Sequence, residues 1–381
     1  MLNVPKDTTR SKKDLLSSLK YAAEKKFGKN SLIIGEEASA SPIICSTGSY
    51  LLDYALGCLG IPKGRVLELY GPESGGKSSL ALIMAASVQK NTGLSVGYID
   101  AEFSFDKEWA KKLGVNTEDL LIFQPQFGDE AFTMAELMLS SQAVGLVIID
   151  SVSALRPRAV VEGEYGDFYV GQQARLMSLG LNKITPIVAD SKGSLVFVNQ
   201  IRQKIGTWGA NPETTSGGES LKFYSSVRLR ISRKEVIGKK DFPEGFITKV
   251  KVTKNKCGVP FREAELSLYL NRKVEIKETN SNGENIFKII EIAGINPFEE
   301  ILDLASKNNI VKKKDKQTYY YNDVLLGQGK EEVISYFKNN TEIFEEIKEK
   351  VFNEVLVVAN SGEEGSFIQE IKKKENEPII E

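Results

Sequence analysis

One glycine-rich loop, Gly71 to Ser78, constrains this chain more than any other segment, because it has the pattern G-x-x-x-x-G-K-[ST]. It follows an apolar, strand-like run at 66–70 and opens residues 78–90, whose apolar side chains recur at helical spacing: Leu80, Ile83, Met84 and Val88. In that context the backbone N–H groups of the loop and the positive end of the helix face a phosphate. The expected phosphate-binding residues are Gly71, Pro72, Glu73, Ser74, Gly75, Gly76, Lys77 and Ser78, with Lys77 beside the β- and γ-phosphates and the Ser78 hydroxyl on Mg²⁺.

The chain contains no histidine, which excludes Ser-His-Asp and Cys-His mechanisms and almost every zinc site that uses histidine. Carboxylates, Lys and Arg, amides and a metal held by oxygen remain, and phosphoryl transfer uses these groups. A net charge of −1 over 381 residues permits local basic patches but argues against binding a polyanion over the whole surface. The widely spaced cysteines, the polar N-terminus and the absence of a long apolar run predict a cytoplasmic protein.

Hydrophobic periodicity and composition predict four regions. Residues 1–41 hold an amphipathic helix at 11–27 and a linker, and this helix would pack either on its own domain or on a neighbouring subunit. Residues 42–270 form the core, and 271–360 form a small α+β domain with helices at 297–307 and 330–355, a strand-like piece at 319–321 and a turn at 280–283. Residues 361–381 are expected to be a solvated tail.

Short β-rich runs alternate with helical segments in the core, which predicts an α/β fold with a mainly parallel sheet covered by helices. The clearest strands lie at 66–70, 95–99, 146–149 and 195–198, and each ends in polar residues. In such sheets ligands bind beyond the carboxyl ends of the strands, so these endings should converge on one nucleotide. This convergence predicts an ATPase.

Three of these endings carry candidate catalytic side chains. Asp150 is expected to order Mg²⁺ together with Ser78, although a strand-ending Asp can also be a helix cap. Glu102 could take the proton of the water that attacks the γ-phosphate, or be a surface glutamate in a turn. Gln200 could contact the γ-phosphate, or cap the segment that follows it.

Two segments that follow Asp150 and Gln200, at 156–175 and 201–218, combine glycines with basic and aromatic residues. Long loops within a compact domain are usually functional or mobile. Beside a nucleotide site they would suit single-stranded nucleic acid, held by backbone charge and base stacking. The alternative is a pair of surface loops without a ligand.

Seven ordered segments of the chain resemble the bacterial RecA recombinases. The resemblance is strong over 11–270 and weaker over 293–355, and it is carried by segments 71–78, 98–102, 150–155, 162–167, 173–178, 199–206 and 211–218. It implies a RecA-type P-loop ATPase core in an ATP-dependent homo-oligomeric filament on single-stranded DNA. Such a filament pairs with homologous duplex DNA and exchanges strands in recombination and repair.

The resemblance also assigns residues. It makes Glu102 the base and Gln200 the γ-phosphate sensor, and it adds Ser79 to the phosphate loop. Asp106 and Trp109 fall where the family contacts adenine, Lys254 and Lys256 where it reaches a neighbouring subunit's phosphates, and Phe223 at a subunit interface. The DNA-binding candidates are Arg156, Arg158, Gly163, Tyr169, Val170, Arg175, Arg202, Lys204, Ile205, Trp208, Asn211, Thr214, Gly217 and Gly218.

The chain departs from the family pattern in several places. Ser78 and Ser79 replace threonines, Trp109 replaces a tyrosine, and Trp208 changes the apolar residues of the second loop. About twenty residues near 271–292 resemble an insertion, and the tail is mixed in charge rather than acidic. Two other functions stay open: an accessory protein with the same core, and a ring-forming DNA motor.

Overall fold

The computed structural model describes residues 11–28, 31–33, 43–164, 171–203, 213–279, 285–315 and 317–357. Residues 1–42 and 43–381 form two separate units. In the first unit, helix α1 (Lys12–Phe27) begins with a reciprocal capping box between Ser11 and Asp14 and ends at Gly28. The helix predicted at 11–27 is therefore confirmed, and none of its side chains is buried.

A single large sheet forms the centre of the second unit. Its strands are β1 Val66–Gly71, β2 Ser95–Asp100, β3 Leu120–Phe123, β4 Val144–Asp150, β5 Ser194–Gln203, β6 Glu213–Thr215, β7 Val227–Lys239, β8 Phe242–Asn255, β9 Glu263–Thr279 and β10 Asn285–Ile295. Their order is β10-β9-β8-β7-β1-β5-β4-β2-β3, with β6 paired to β5. The strands from β7 to β3 are parallel, whereas β8, β9 and β10 extend the sheet in antiparallel fashion.

Helices cover both faces of the parallel part. The helices in this part of the chain are α2 Tyr50–Leu56, α3 Lys77–Thr92, α4 Lys107–Lys112, α5 Gly128–Ser140, α6 Arg158–Glu162, α7 Gln172–Asp190 and α8 Ser220–Tyr224. Successive strand residues point to opposite faces, so Ile148 lies in the core that contains α3, and Ile149 lies in the core that contains α5 and α7. Burial on both faces explains the apolar run of β4, and β1 is also buried throughout although it contains Glu68. The predicted α/β fold is confirmed.

The C-terminal region has its own core beside a small antiparallel sheet. It consists of α9 Pro297–Lys307, β11 Lys312–Lys313, β12 Thr318–Tyr321, β13 Val324–Gln328, α10 Lys330–Asn339, α11 Thr341–Lys350 and a π-helical segment Val351–Val357. The predicted helix at 297–307 and strand at 319–321 are confirmed. The prediction of a single helix at 330–355 is wrong, because the helix is interrupted at Asn340. The φ of −128° and ψ of 68° at this residue are not helical.

Strand β9 runs through position 271 without interruption and pairs with β10. The domain boundary predicted at 271 therefore falls inside a strand of the large sheet, and β9 pairs with β10 on both sides of it, with a register shift between Ile292 and Gly294. The turn predicted at 280–283 and the tail at 361–381 lie outside the described residues. In the described ranges, no helix is both long and apolar enough to cross a membrane.

Candidate nucleotide and DNA site

Strand register brings the predicted strand endings to one edge of the sheet. Gly71 of β1 lies opposite Gln200 of β5, and Asp100 of β2 lies opposite Asp150 of β4. Strand β4 is hydrogen-bonded to β5, so these four carboxyl ends are consecutive across the sheet. The expected convergence of the endings is confirmed for the backbone.

The phosphate loop is held in shape by close backbone packing. A Cβ atom at Gly71 would lie 1.8 Å from the carbonyl oxygen of Ile231, so only glycine fits there. Gly76 adopts a left-handed conformation (φ 93°) as the N-cap of α3, and Ser74 also has a positive φ of 55°. The loop therefore ends by turning directly into the helix, which aims the helix N-terminus at the loop.

Lys77 is buried at the start of α3, and its Nζ atom donates to the carbonyl oxygen of Pro72 at 2.6 Å. Burial lowers the pKa of this ammonium group, while the carboxylates of Asp150, Glu102 and Glu73 act in the opposite direction. The three carboxylates thus favour the charged form that phosphate binding requires.

Asp150 is buried and accepts a hydrogen bond from the Tyr98 hydroxyl at 2.7 Å. Burial raises the pKa of Asp150, and side-chain hydrogen bonds from Ser78 and Tyr98 oppose that rise. The Ser78 hydroxyl and the Asp150 carboxylate are therefore neighbouring oxygen donors. Among the described residues no three His, Cys, Asp or Glu side chains form a metal-binding group. This donor set fits Mg²⁺, which takes one or two protein oxygens and completes its shell with phosphate and water.

Glu102 is exposed just beyond β2, and its carboxylate has two partners at this edge. Its Oε1 atom accepts hydrogen bonds from the Ser151 hydroxyl and from the Gln200 amide, the latter at 3.4 Å. The structure thus brings the predicted base and the predicted sensor together. The role of Ser151 was missed from the sequence, although its position directly after Asp150 was the available signal.

Trp109 lies beside the first turn of α3. Asp106 caps α4 by accepting from the backbone N–H of Trp109 at 2.9 Å, and the indole Nε1 of Trp109 donates to the Ser79 hydroxyl at 3.1 Å. Both predicted adenine residues and Ser79 are therefore adjacent to the phosphate loop.

A second contact that the sequence did not indicate comes from Arg233 of β7. Its Nη2 atom donates to the carbonyl oxygen of Ser74 at 2.8 Å, and its guanidinium lies 3.5 Å from the centre of the Phe246 ring. The sequence carried no signal for this contact, because 159 residues separate Arg233 from Ser74.

Two protein-family models match most of this chain. The family model for the RecA N-terminal domain matches residues 13–275, and the model for the RecA C-terminal domain matches residues 299–356. The chain belongs to the RecA family. It is therefore a recombinase and a DNA-dependent ATPase, and it binds nucleotide and single-stranded DNA and forms filaments.

Several curated relatives, each named Protein RecA, are similar to the chain along most of its length. That of Leptospira biflexa serovar Patoc is 43% identical over 345 residues, covering 90% of this chain and 83% of the relative. That of Wolbachia sp. subsp. Brugia malayi is 42% identical over 352 residues, covering 92% and 93%. That of Acinetobacter baumannii (strain ATCC 17978) is 43% identical over 340 residues, covering 89% and 91%.

Two lysines that the RecA resemblance assigned to catalysis are not brought to the phosphate loop of their own chain. Lys254 of β8 lies opposite Arg228 of β7, and Arg228 lies opposite Glu68 of β1, three residues before Gly71. At about 3.3 Å per residue this is roughly 10 Å along the sheet, away from the loop. Lys256 follows the end of β8 and is farther still.

Lys254 is half-buried against α8, where its Nζ atom donates to the carbonyl oxygens of Lys222 at 2.6 Å and Phe223 at 3.1 Å. Burial lowers its pKa, as do the charges of Lys256 and Arg228. The Phe223 side chain is 73% exposed. A cationic and aromatic cluster therefore lies beside α8, away from the phosphate loop.

The first RecA DNA segment is described except for residues 165–170, which include Tyr169 and Val170. Arg156, Gly163 and Arg175 are exposed. Arg158 is also exposed, and it forms ion pairs within the chain with Glu130 at 3.7 Å and Glu162 at 3.3 Å. Residues 172–175 belong to α7 rather than to a loop.

The second segment is described at its two ends, and Lys204, Ile205, Trp208 and Asn211 lie outside the described residues. Thr214 of β6 pairs with Arg202 of β5, whose Nε atom donates to the Ser216 hydroxyl at 2.9 Å. Gly217 and Gly218 follow with φ values of 82° and 79°. The ends of this segment are thus fixed at the same edge of the sheet as Gln200.

Proposed function

We propose that this RecA-family chain hydrolyses ATP with Mg²⁺ at the carboxyl ends of β1, β5, β4 and β2. We also propose that the bound nucleotide controls the affinity of the chain for single-stranded DNA. The observation that carries the proposal is the contact of Glu102 with both Ser151 and Gln200, beside a loop that contains buried Lys77. The base Glu102, the sensor Gln200 and the phosphate-binding ammonium group of Lys77 then act on one bound ATP.

Each side chain has a distinct task in this proposal. Lys77 and the N–H groups at the start of α3 hold the phosphates, while Ser78 and Asp150 hold Mg²⁺. When bound, Mg²⁺ neutralises charge on the phosphate oxygens. Glu102 orients a water and takes its proton, and Gln200 contacts the γ-phosphate from the start of the second DNA segment. Trp109 and Asp106 contact the adenine ring.

Lys254 and Lys256 complete the site of a neighbouring subunit in the proposed filament. Their separation from the phosphate loop of their own chain supports this role, because strand register places Lys254 level with Glu68 rather than with Gly71. The exposed apolar side chains of α1, including Leu15, Leu16 and Leu19, would link neighbouring subunits.

The DNA partners are single-stranded DNA and, for strand exchange in the cytoplasm, a homologous duplex. The proposed contacts are the basic residues at the ends of the two segments, Arg156, Arg175 and Arg202, together with the predicted residues that lie between them. Trp208 would stack on bases, which contributes about 1–3 kcal/mol per base.

DNA-stimulated ATP hydrolysis combined with electron microscopy tests the proposal. We expect the rate of ATP hydrolysis to rise on addition of oligo(dT). Lys77→Ala should abolish hydrolysis, because the ammonium group that binds the phosphates is lost. Filaments should form with a non-hydrolysable ATP analogue. Rings in the micrographs would support the alternative of a ring-forming DNA motor. Hydrolysis that DNA does not stimulate would support the alternative of an accessory protein.

A further inference from the structure

A short turn separates the catalytic edge from the first DNA segment. It is a 3-10 turn at Val152–Ala154, and it follows Ser151, whose hydroxyl donates to Glu102. The Ser153 hydroxyl oxygen lies 2.5 Å from that of Ser151. Because Ser151 donates its one proton to Glu102, Ser153 is the donor to Ser151. The turn therefore orients Glu102 through two consecutive hydroxyl groups.

Gln173 ties this turn to the helix that follows the first DNA segment. It is the second residue of α7 and is half-buried, with its amide directed at the turn. Its Nε2 atom donates to the carbonyl oxygens of Val152 at 2.9 Å, Leu155 at 3.2 Å and Ser153 at 3.4 Å. One amide thus holds the backbone of the whole turn.

The end of the second DNA segment packs on the same structure. A Cβ atom at Gly217 would lie 2.8 Å from Val152 Cγ1 and 3.0 Å from Met177 Cγ of α7. A Cβ atom at Gly218 would lie 2.9 Å from Ala174 Cβ. Both glycines are therefore in close contact with α7 or with the turn, so a shift of either segment displaces the other's support.

We propose that Gln173 is a positioning residue that couples DNA bound at the first segment to the orientation of Glu102, through the 152–154 turn and the hydroxyls of Ser153 and Ser151. A displacement of the first turn of α7 moves the three carbonyl groups that Gln173 holds, and with them the two hydroxyl groups. The inference depends on the proposed role of Glu102 as base.

The test measures two quantities for each variant. One is the affinity for fluorescein-labelled oligo(dT), by anisotropy with a non-hydrolysable ATP analogue. The other is the ratio of kcat with saturating oligo(dT) to kcat without DNA. For Gln173→Ala we expect the ratio to fall at least about fivefold, with oligo(dT) affinity within about threefold of the unmodified chain, because the amide faces the turn and not the DNA.

Ser153 provides a second, conservative pair of variants. Ser153→Ala should lower the ratio as Gln173→Ala does, whereas Ser153→Thr keeps a hydroxyl group and should restore most of it. The Gln173→Ala and Ser153→Ala changes should be non-additive, because both act on one connection. Asn182→Ala, which removes an exposed amide from the same helix, is the matched control and should leave the ratio unchanged.

Two results would overturn the inference. A ratio within twofold of normal in Gln173→Ala would mean that the amide only supports the fold. A parallel loss of oligo(dT) affinity would make Gln173 a DNA contact. Glu102→Gln, assayed alongside, separates failure of this inference from failure of the proposed function. Normal hydrolysis by Glu102→Gln would mean that Glu102 is not the base. Slow hydrolysis by Glu102→Gln together with a normal ratio for Gln173→Ala would disprove only the coupling.

Discussion

Glu102 is exposed, yet its Oε1 atom accepts from both Ser151 and Gln200. We predict that Glu102→Gln retains ATP binding and filaments on DNA but slows hydrolysis by about 10²–10⁴-fold, as expected for loss of a positioned base. An amide can keep hydrogen bonds at this position but cannot take a proton from water. Single-turnover hydrolysis with saturating oligo(dT) measures the effect, and a normal rate would disprove the assignment.

Arg233 supports the phosphate loop at Ser74, a residue other than glycine with a positive φ. Such a conformation costs on the order of 1–2 kcal/mol, so the loop needs external support. We predict that Arg233→Gln weakens binding of a fluorescent ATP analogue without DNA by several-fold. Arg233→Lys should be intermediate, because lysine keeps the charge but loses the planar group that stacks on Phe246.

Lys234→Gln is the matched control for Arg233, since Lys234 is the next residue and pairs instead with Glu265 at 2.8 Å. It should leave ATP affinity unchanged. Equal losses in the two variants would mean that general positive charge, rather than the contact with Ser74, matters here.

Some features of the site could be predicted from the sequence, and others could not. The phosphate loop and the strand-ending Asp150 were predictable, because each depends on a local pattern and on the rule that parallel strands end together. The contact of Arg233 with Ser74 depends on the placement of β7 beside β1, and no local pattern encodes it. Ser151 was visible in its motif, but its hydrogen bond to Glu102 required the register of β2 against β4.

Two buried carboxyl groups, Glu300 of α9 and Asp53 of α2, lie at the start of α2 and predict a pH dependence. Glu300 accepts from the Ser49 hydroxyl at 2.6 Å and the Tyr50 N–H at 2.7 Å, and Asp53 accepts from the Thr47 hydroxyl at 2.7 Å. Burial raises the pKa of Glu300 to about 8 and that of Asp53 to about 7. The ordinary values are 4.5 and 3.8, so between these values and the raised ones the folded state binds more protons than the unfolded state.

It follows that the free energy of unfolding is greatest below about pH 4 as far as these two groups are concerned, and falls as pH rises through 7 and 8. We predict that Glu300→Gln, which cannot ionise, loses less stability between pH 5 and pH 8 than the unmodified chain. The difference should be on the order of 1 kcal/mol for each pH unit in this interval, because the folded carboxyl group stays protonated there while the unfolded one is mostly ionised. Urea unfolding at the two pH values measures it.

Glu345→Gln on α11 is the control, because that exposed side chain pairs only at the surface with Lys348. Its loss of stability between the two pH values should match that of the unmodified chain. If Glu300→Gln also matches, the carboxyl group is not the source of the pH dependence.

The separation of Lys254 and Lys256 from the phosphate loop predicts complementation between subunits. Lys77→Ala and the double variant Lys254→Ala, Lys256→Ala should each be inactive alone. Mixed filaments should recover hydrolysis wherever a subunit with an intact loop meets one with intact lysines, about a quarter of junctions in a random equimolar mixture across a head-to-tail interface. The DNA-stimulated rate against mixing ratio measures this, and no recovery in filaments shown to contain both variants would refute sharing.

A chain whose phosphate loop lies apart from the lysines proposed to assist hydrolysis has a built-in polarity. In the proposed filament, a row of subunits has one fewer complete site than it has members. The subunit at one terminus holds a nucleotide that no neighbour completes, and the subunit at the opposite terminus offers lysines that nothing uses. Turnover per subunit would then climb with filament length from zero for a solitary molecule, and the two termini would differ in how long they keep their ATP.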